Sequence, residues 1–416
     1  MSARHDPYAA FRHRNYTLFM GGSMLAQIGG GGQGLAIGWE LYKRTGQPLA
    51  LGMAGLSQAL PMIVLTLLAG YLADRFDRKH LLILSIFGGA LMSAALALLS
   101  VVKGPLWMIY VLLALNASIL TLGRPARTAI LPLLVPREVL ENAVAWRTSI
   151  MQVSSVTGPA LGGLIIAFSV PAAYLASAAA AGLFALLLAL VHLPPAGQTT
   201  SGVTWSQLVA GVFFVRSQKL ILAAISLDLF AVLLGGATYL LPVYATDILK
   251  VGEKGLGLLQ AAPAVGALIT ALLMAHRPPM QRAGRTLLLA VAGFGGATIL
   301  FGLSQSFYLS LFALFLTGVC DNVSVVVRHT LIQLLTPDAM RGRVAAVNGI
   351  FIGSSNELGG FESGVVAQAF SPAVSVVSGG IGCLLVVLAT ALAAPQLRRF
   401  TSFREAVEAH RAQQQG

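Results

Sequence analysis

Residues 55–75 read GLSQALPMIVLTLLAGYLADR, and residues 257–277 read GLLQAAPAVGALITALLMAHR. At an offset of 202, Gly55, Gln58, Ala59, Pro61 and Arg75 meet Gly257, Gln260, Ala261, Pro263 and Arg277. Upstream at the same offset Tyr42 meets Tyr244. At an offset of 201, Arg127, Leu133, Leu134 and Pro136 meet Arg328, Leu334, Leu335 and Pro337. Apolar segments resemble one another by chance, so each match alone is weak. Two sets at nearly one offset point to an internal duplication, and the duplication decides the fold.

The repeated segments are too oily for water. The chain has 416 residues, 56% hydrophobic and 10% charged, with a mean hydropathy of +0.79. Soluble domains carry about a quarter charged residues, so the bilayer must be the solvent here. Apolar windows of roughly 20 residues mark spanning helices. Twelve are expected, over about residues 16–41, 49–73, 80–101, 105–126, 143–168, 172–193, 220–246, 255–276, 286–304, 307–327, 344–369 and 372–394. Lipid offers no partner to backbone polar groups, which forces helices. The expected fold is an all-α membrane protein of two pseudo-symmetric six-helix bundles, duplicated in parallel about an axis along the membrane normal.

The halves divide as residues 1–193 and 220–397, with a linker at 194–219 and a tail at 398–416. Within the linker, PPAGQTTSG reads as flexible chain. The following VTWSQLVAGVFFVRSQ alternates as a helix lying in the membrane interface would. The N-terminal stretch has no clear small-residue cleavage site, so its first helix is expected to be retained.

The formal net charge of +12 invites a nucleic-acid reading. The basic residues are scattered, however, as on the cytoplasmic loops of membrane proteins. Placing both termini in the cytoplasm leaves only Lys43, Arg44, Lys103, Lys250 and Lys254 outside, out of 27 basic residues. The positive-inside rule favours that orientation. Cys320 and Cys383 sit in apolar runs and read as core residues. No nucleotide loop, nucleophile arrangement or metal-binding cluster stands out, so neither an enzyme, a cofactor nor a metal is expected.

The scarce charge gathers in LAGYLADRFDRKHLLIL, residues 68–84. It resembles the loop signature of the major facilitator superfamily, G-x-L-A-D-R-x-G-R-K, after the second of twelve spans. Gly70, Leu72, Ala73, Asp74, Arg75, Arg78 and Lys79 match. Asp77 stands where the pattern has Gly, as in the drug and siderophore exporters of that superfamily. LVPREVLENA and LTPDAMRGRVAAVNGIFIGSSNELGGFESG also look like that group. The resemblance implies a cytoplasmic latch: Gly70 lets helices approach, Asp74 accepts hydrogen bonds from the opposing half, and Arg341 and Arg343 are its candidate partners. Arg75, Arg78 and Lys79 belong to the same latch.

SSVTGPALGG, residues 154–163, resembles the antiporter signature g-x-x-x-G-P-x-x-G-G through Gly158, Pro159, Gly162 and Gly163, with Ser154 replacing the first Gly. Pro159 removes a helix hydrogen bond, and the glycines permit tight contact. Arg124 and Arg127 lie near the cytoplasmic end of the fourth span, where relatives often carry an arginine implicated in proton traffic; topology or latch work serves equally.

A carboxylate at mid-bilayer is costly and so points to function. The candidates for proton coupling are Glu40, Asp228, Asp321, Glu357 and Glu362. Trp39 and Tyr239 are candidate walls of a substrate cavity expected between the halves. Tyr42 and Tyr244 serve either there or in the aromatic belt. GGSMLAQIGGGGQG in the first span hints at bending or at close contact with the fifth.

These readings imply proton-coupled export of a lipophilic or amphiphilic small molecule such as a drug or siderophore. The protein would work by alternating access as a monomer in the plasma (inner) membrane, its partners being substrate, protons and lipid, not nucleic acid. A proton-coupled uptake symporter, a lysophospholipid translocator and a scaffold without transport are the alternatives.

Overall fold

The computed structural model describes residues 6–193, 205–276 and 282–400. Residues 194–204 of the expected linker, Arg277, and the tail from 401 onwards lie outside them. The first six spans are α1 (Arg14–Thr45), α2 (Pro48–Arg75), α3 (Arg78–Val101), α4 (Leu106–Ile130), α5 (Leu140–Phe168) and α6 (Val170–Ala189). A connecting helix α7 (Trp205–Ser217) precedes the broken seventh span, made of α8 (Lys219–Leu234) and the short α9 (Leu241–Val243). The rest are α10 (Gly252–Ala275), α11 (Ala283–Leu303), α12 (Phe307–Leu335), α13 (Asp338–Ala369) and α14 (Pro372–Ala393), closed by α15 (Pro395–Arg399).

Ten helical stretches are long and apolar enough to cross a membrane. Glycine dilutes α1, and arginine, glutamate and small polar residues dilute α13. Each has 32 residues, about 48 Å at 1.5 Å per residue, more than a bilayer core requires. The total is twelve spans. Large apolar side chains such as Leu84, Phe168 and Leu289 stay exposed, because lipid leaves little driving force to bury them.

The chain divides into two compact units, Met1–Glu40 with Leu60–Gly202, and Leu41–Ala59 with Val203–Gly416. In the first unit α3 packs against α4 and α6; in the second α11 packs against α12 and α14. Thus the third span contacts the fourth and sixth in both, as a duplicated bundle requires. The helix α7 packs on α8 and α13, with Val215 buried.

The glycine-rich first span neither breaks nor unwinds; α1 runs unbroken from Arg14 to Thr45. Its glycines let α5 approach. A Cβ built on Gly162 would stand 2.5 Å from the Gly32 Cα, a separation no side chain tolerates. The seventh span, expected as one helix over 220–246, is instead interrupted. The helix α8 ends at Leu234, capped by Gly235, and the chain passes through a 3₁₀ turn at Ala237–Leu240 and a π turn at Tyr244–Ile248. Consecutive glycines at 235 and 236 weaken the helix. The backbone there is crowded: a Cβ on Gly379 would fall 2.0 Å from the Leu234 carbonyl oxygen.

Candidate functional site

The second unit buries an ion pair within its spans. Asp228 of α8 pairs with Arg328 of α12, and both are under a tenth exposed. An isolated charge in such surroundings costs several kcal/mol, so each residue requires the other. Asp321 lies seven residues before Arg328, two helical turns on the same face. It lines one narrow cavity with Asp228, Phe294 and Ser324. Asp321 accepts no hydrogen bond among the described residues. Ser324 Oγ and Arg328 Nε also lack partners. The cluster therefore has two carboxylates for one guanidinium, with hydrogen-bonding capacity left over.

The first unit places its own arginine differently. Arg127 of α4 donates to Ser23 Oγ of α1 and lies 5.7 Å from the Phe184 ring centroid. It lines a cavity of about 220 Å³ with Arg124, Arg147, Gln27 and Met151. Among the described residues no carboxylate lines this cavity.

The other embedded acids each lie beside a hydroxyl. Tyr239 donates to Glu357 Oε2 at 3.1 Å, and its ring covers Gly360. Gly55 of α2 also abuts Glu357, since a Cβ there would stand 3.0 Å from the Glu357 carbonyl oxygen. Tyr174 donates to Glu40 Oε2 at 2.8 Å, and Glu40 is buried. Glu362 is half-buried, with Ser363 Oγ 3.5 Å away. Trp39 is buried at 4% exposure. Tyr42 donates to Asp247, and Tyr244 to the Gly302 carbonyl at 3.0 Å.

In the loop knot, the Asp74 side chain lies outside the described residues. Arg75 donates to the Tyr71 hydroxyl at 2.7 Å. Lys79 donates to the carbonyl of Ala189, the last residue of α6, at 2.8 Å, where a cation suits the helix C-terminus. Gly70 and Arg78 are half-buried; Arg341 is exposed. Asp77 is the N-cap of α3: its carboxylate accepts from His80 N–H at 2.8 Å. That bond, with help from the His80 ring, holds the carboxyl below its usual pKa. Capping explains an Asp where the signature has Gly, which is also tolerated at an N-cap.

Gly158, Pro159, Gly162 and Gly163 are all buried. Gly158 and Gly162 meet Gly31 and Gly32 of α1. The structure thus brings together Asp228 with Asp321, Tyr239 with Glu357, and the motif glycines with α1. Sequence reasoning missed Arg328 as the partner of Asp228, taking it only as a repeat landmark. It also missed Arg147, Ser23 and Gln27. The seven-residue spacing of Asp321 and Arg328 was the available signal for the first.

Comparison with known proteins extends these observations along the whole chain. Residues 5–414 match the family described as transmembrane secretion effector. The enterobactin exporter EntS of Escherichia coli O1:K1 is 29% identical over 373 residues, 88% of each chain, and that of Shigella boydii serotype 18 matches equally. Among solved structures, a mutant of the nucleoside transporter NupG aligns with a TM-score of 0.73 at 11% identity, covering 91% of this chain and 99% of that one. A bacterial homologue of the iron transporter ferroportin aligns at 0.68 and 18% identity, covering 93% and 99%. With twelve spans in two matched sets of six and a full-length family match, this chain belongs to the transmembrane secretion effectors, transporters of the major facilitator superfamily.

Proposed function

We propose that the protein exports a lipophilic or amphiphilic small molecule by alternating access, driven by inward proton flow. The observation that carries this reading is the match to the transmembrane secretion effector family over nearly the whole chain. Enterobactin exporters share that length, and a siderophore is one such amphiphile. The protein works as a monomer in the inner membrane, both termini in the cytoplasm, with the knot from Gly70 to Lys79 and Arg341 as its cytoplasmic latch. Trp39 and Tyr239 contact substrate.

The embedded charges support proton coupling. A proton taken up by Asp228 cancels its charge and frees Arg328, for which Asp321 on the same helix face is the next carboxylate. Glu357, within reach of a tyrosine hydroxyl, is a second protonation site, with Glu362 and Glu40 as lesser ones.

Inverted vesicles with an acid lumen test this reading. Fluorescent amphiphiles accumulate inside while protons leave, and an uncoupler abolishes the accumulation. Accumulation that ignores both the gradient and the uncoupler refutes proton coupling. Exit of the amphiphile in place of entry refutes export.

A further inference from the structure

The cavity around Arg127 concentrates positive charge that no carboxylate among the described residues offsets. Among the described residues the Arg124 guanidinium reaches only the Met62 sulfur, at 3.5 Å. Arg124 and Arg147 both act on the Arg127 guanidinium as like charges. None of the three joins an ion pair among the described residues. Setting topology needs arginines at the membrane surface, not three of them, from α4 and α5, lining one cavity. The equivalent arginine of the second unit, Arg328, has Asp228 beside it. Gln27 stands the same 201 residues before Asp228 that Arg127 stands before Arg328. Where the second unit supplies a carboxylate, the first supplies a neutral amide.

We propose that this cavity binds an oxyanion of the exported molecule (a carboxylate, sulfonate or phenolate), which makes the substrate an anionic amphiphile. The inference rests on the export reading and narrows its substrate class. Guanidinium groups hold oxyanions through paired, charge-assisted hydrogen bonds. At about 220 Å³ the cavity is smaller than a typical site for a whole drug-sized ligand, so it receives the charged group. Met151 lines the same wall and offers an apolar, adaptable surface to what is attached. The phosphate of an anionic lipid has the same chemistry and is the competing source.

The test uses the full chain in phosphatidylcholine nanodiscs and two probes, an alkylcoumarin carboxylate and its methyl ester. The carboxylate binds wild-type protein about tenfold more tightly than the ester, as expected for a charge-assisted contact. Arg127→Gln and Arg147→Gln each remove the preference, and Arg127→Lys retains part of it. Equal affinity of the wild type for both probes overturns the proposal, as does a preference surviving in both glutamine variants. Including phosphatidylglycerol leaves the preference intact; its loss would assign the cavity to lipid headgroups and overturn the substrate assignment. Flux in proteoliposomes separates the two readings. Preferential binding with no pH-driven movement of either probe refutes export but upholds the anion site. Movement of both probes without preferential binding refutes the anion site but upholds export.

Discussion

Arg127 on α4 and Arg328 on α12 occupy equivalent positions in the two halves, 201 residues apart. Arg328 faces Asp228, whereas Arg127 bonds a serine hydroxyl and shares its cavity with two more arginines. Packing follows the opposite trend. Gly158 and Gly162 of α5 stand 202 residues before Gly360 and Gly364 of α13, and all four are pressed by a neighbouring element. The halves keep the small residues that let helices meet, and they differ in the charges those helices carry. Close helix contact is a requirement of the bundle itself, while an embedded charge serves whatever passes through it.

Four experiments can break or sharpen this contrast. The largest effect should come from Asp228→Ala. Removing the carboxylate that faces a buried guanidinium costs up to about 3–5 kcal/mol, less whatever Asp321 of the same cluster makes good, read as a lower unfolding temperature of purified protein. The double change Asp228→Leu with Arg328→Met should restore most of the loss; no recovery would mean that the pair is not the reason Asp228 matters.

Next in size are Gly162→Ala and Gly364→Ala. The added carbon would meet the Gly32 Cα at 2.5 Å or the Gly52 Cα at 2.9 Å. Forcing apart such contacts costs about 1–3 kcal/mol. Comparable losses in thermal stability are expected from the two; a loss confined to one half would end the claim that packing is shared.

Asp77→Ala should cost about 1 kcal/mol as a lost N-cap, and Asp77→Gly only a few tenths. The depressed carboxyl pKa of Asp77 fixes the sign of the pH dependence. Its contribution is present above the ordinary carboxylate pKa and is lost as the pH falls through the lower, folded-state value. Denaturation of wild type and Asp77→Gly at neutral and strongly acid pH should therefore converge at acid pH. A constant difference would remove the cap from the account.

The smallest effect should follow Arg127→Met. It strands no charge, only the Ser23 hydroxyl, and relieves like-charge repulsion, so stability should change by no more than about 1 kcal/mol. A loss as large as that of Asp228→Ala would show that Arg127 has a hidden counter-charge and would dissolve the contrast.

The glycine run of the first span was legible as a bend or a contact with the fifth, and the unbroken α1 packed on Gly158 and Gly162 decides for contact. Asp228 and Asp321 were legible as costly acids, but not as neighbours around one arginine. The unwinding after Leu234 was invisible to hydropathy, because 3₁₀ and π turns bury the same apolar side chains as the α-helix they replace.

The sequence by itself determined that the chain lives in lipid, that it crosses twelve times and that it is two copies of one bundle. These follow from hydropathy, helix length and offset, which are properties of the chain in one dimension. Only the tertiary structure decided which arginine meets a carboxylate and which meets two others of its kind. Residues a hundred positions apart become partners through helix rotation and packing, and no pattern along the chain encodes those angles.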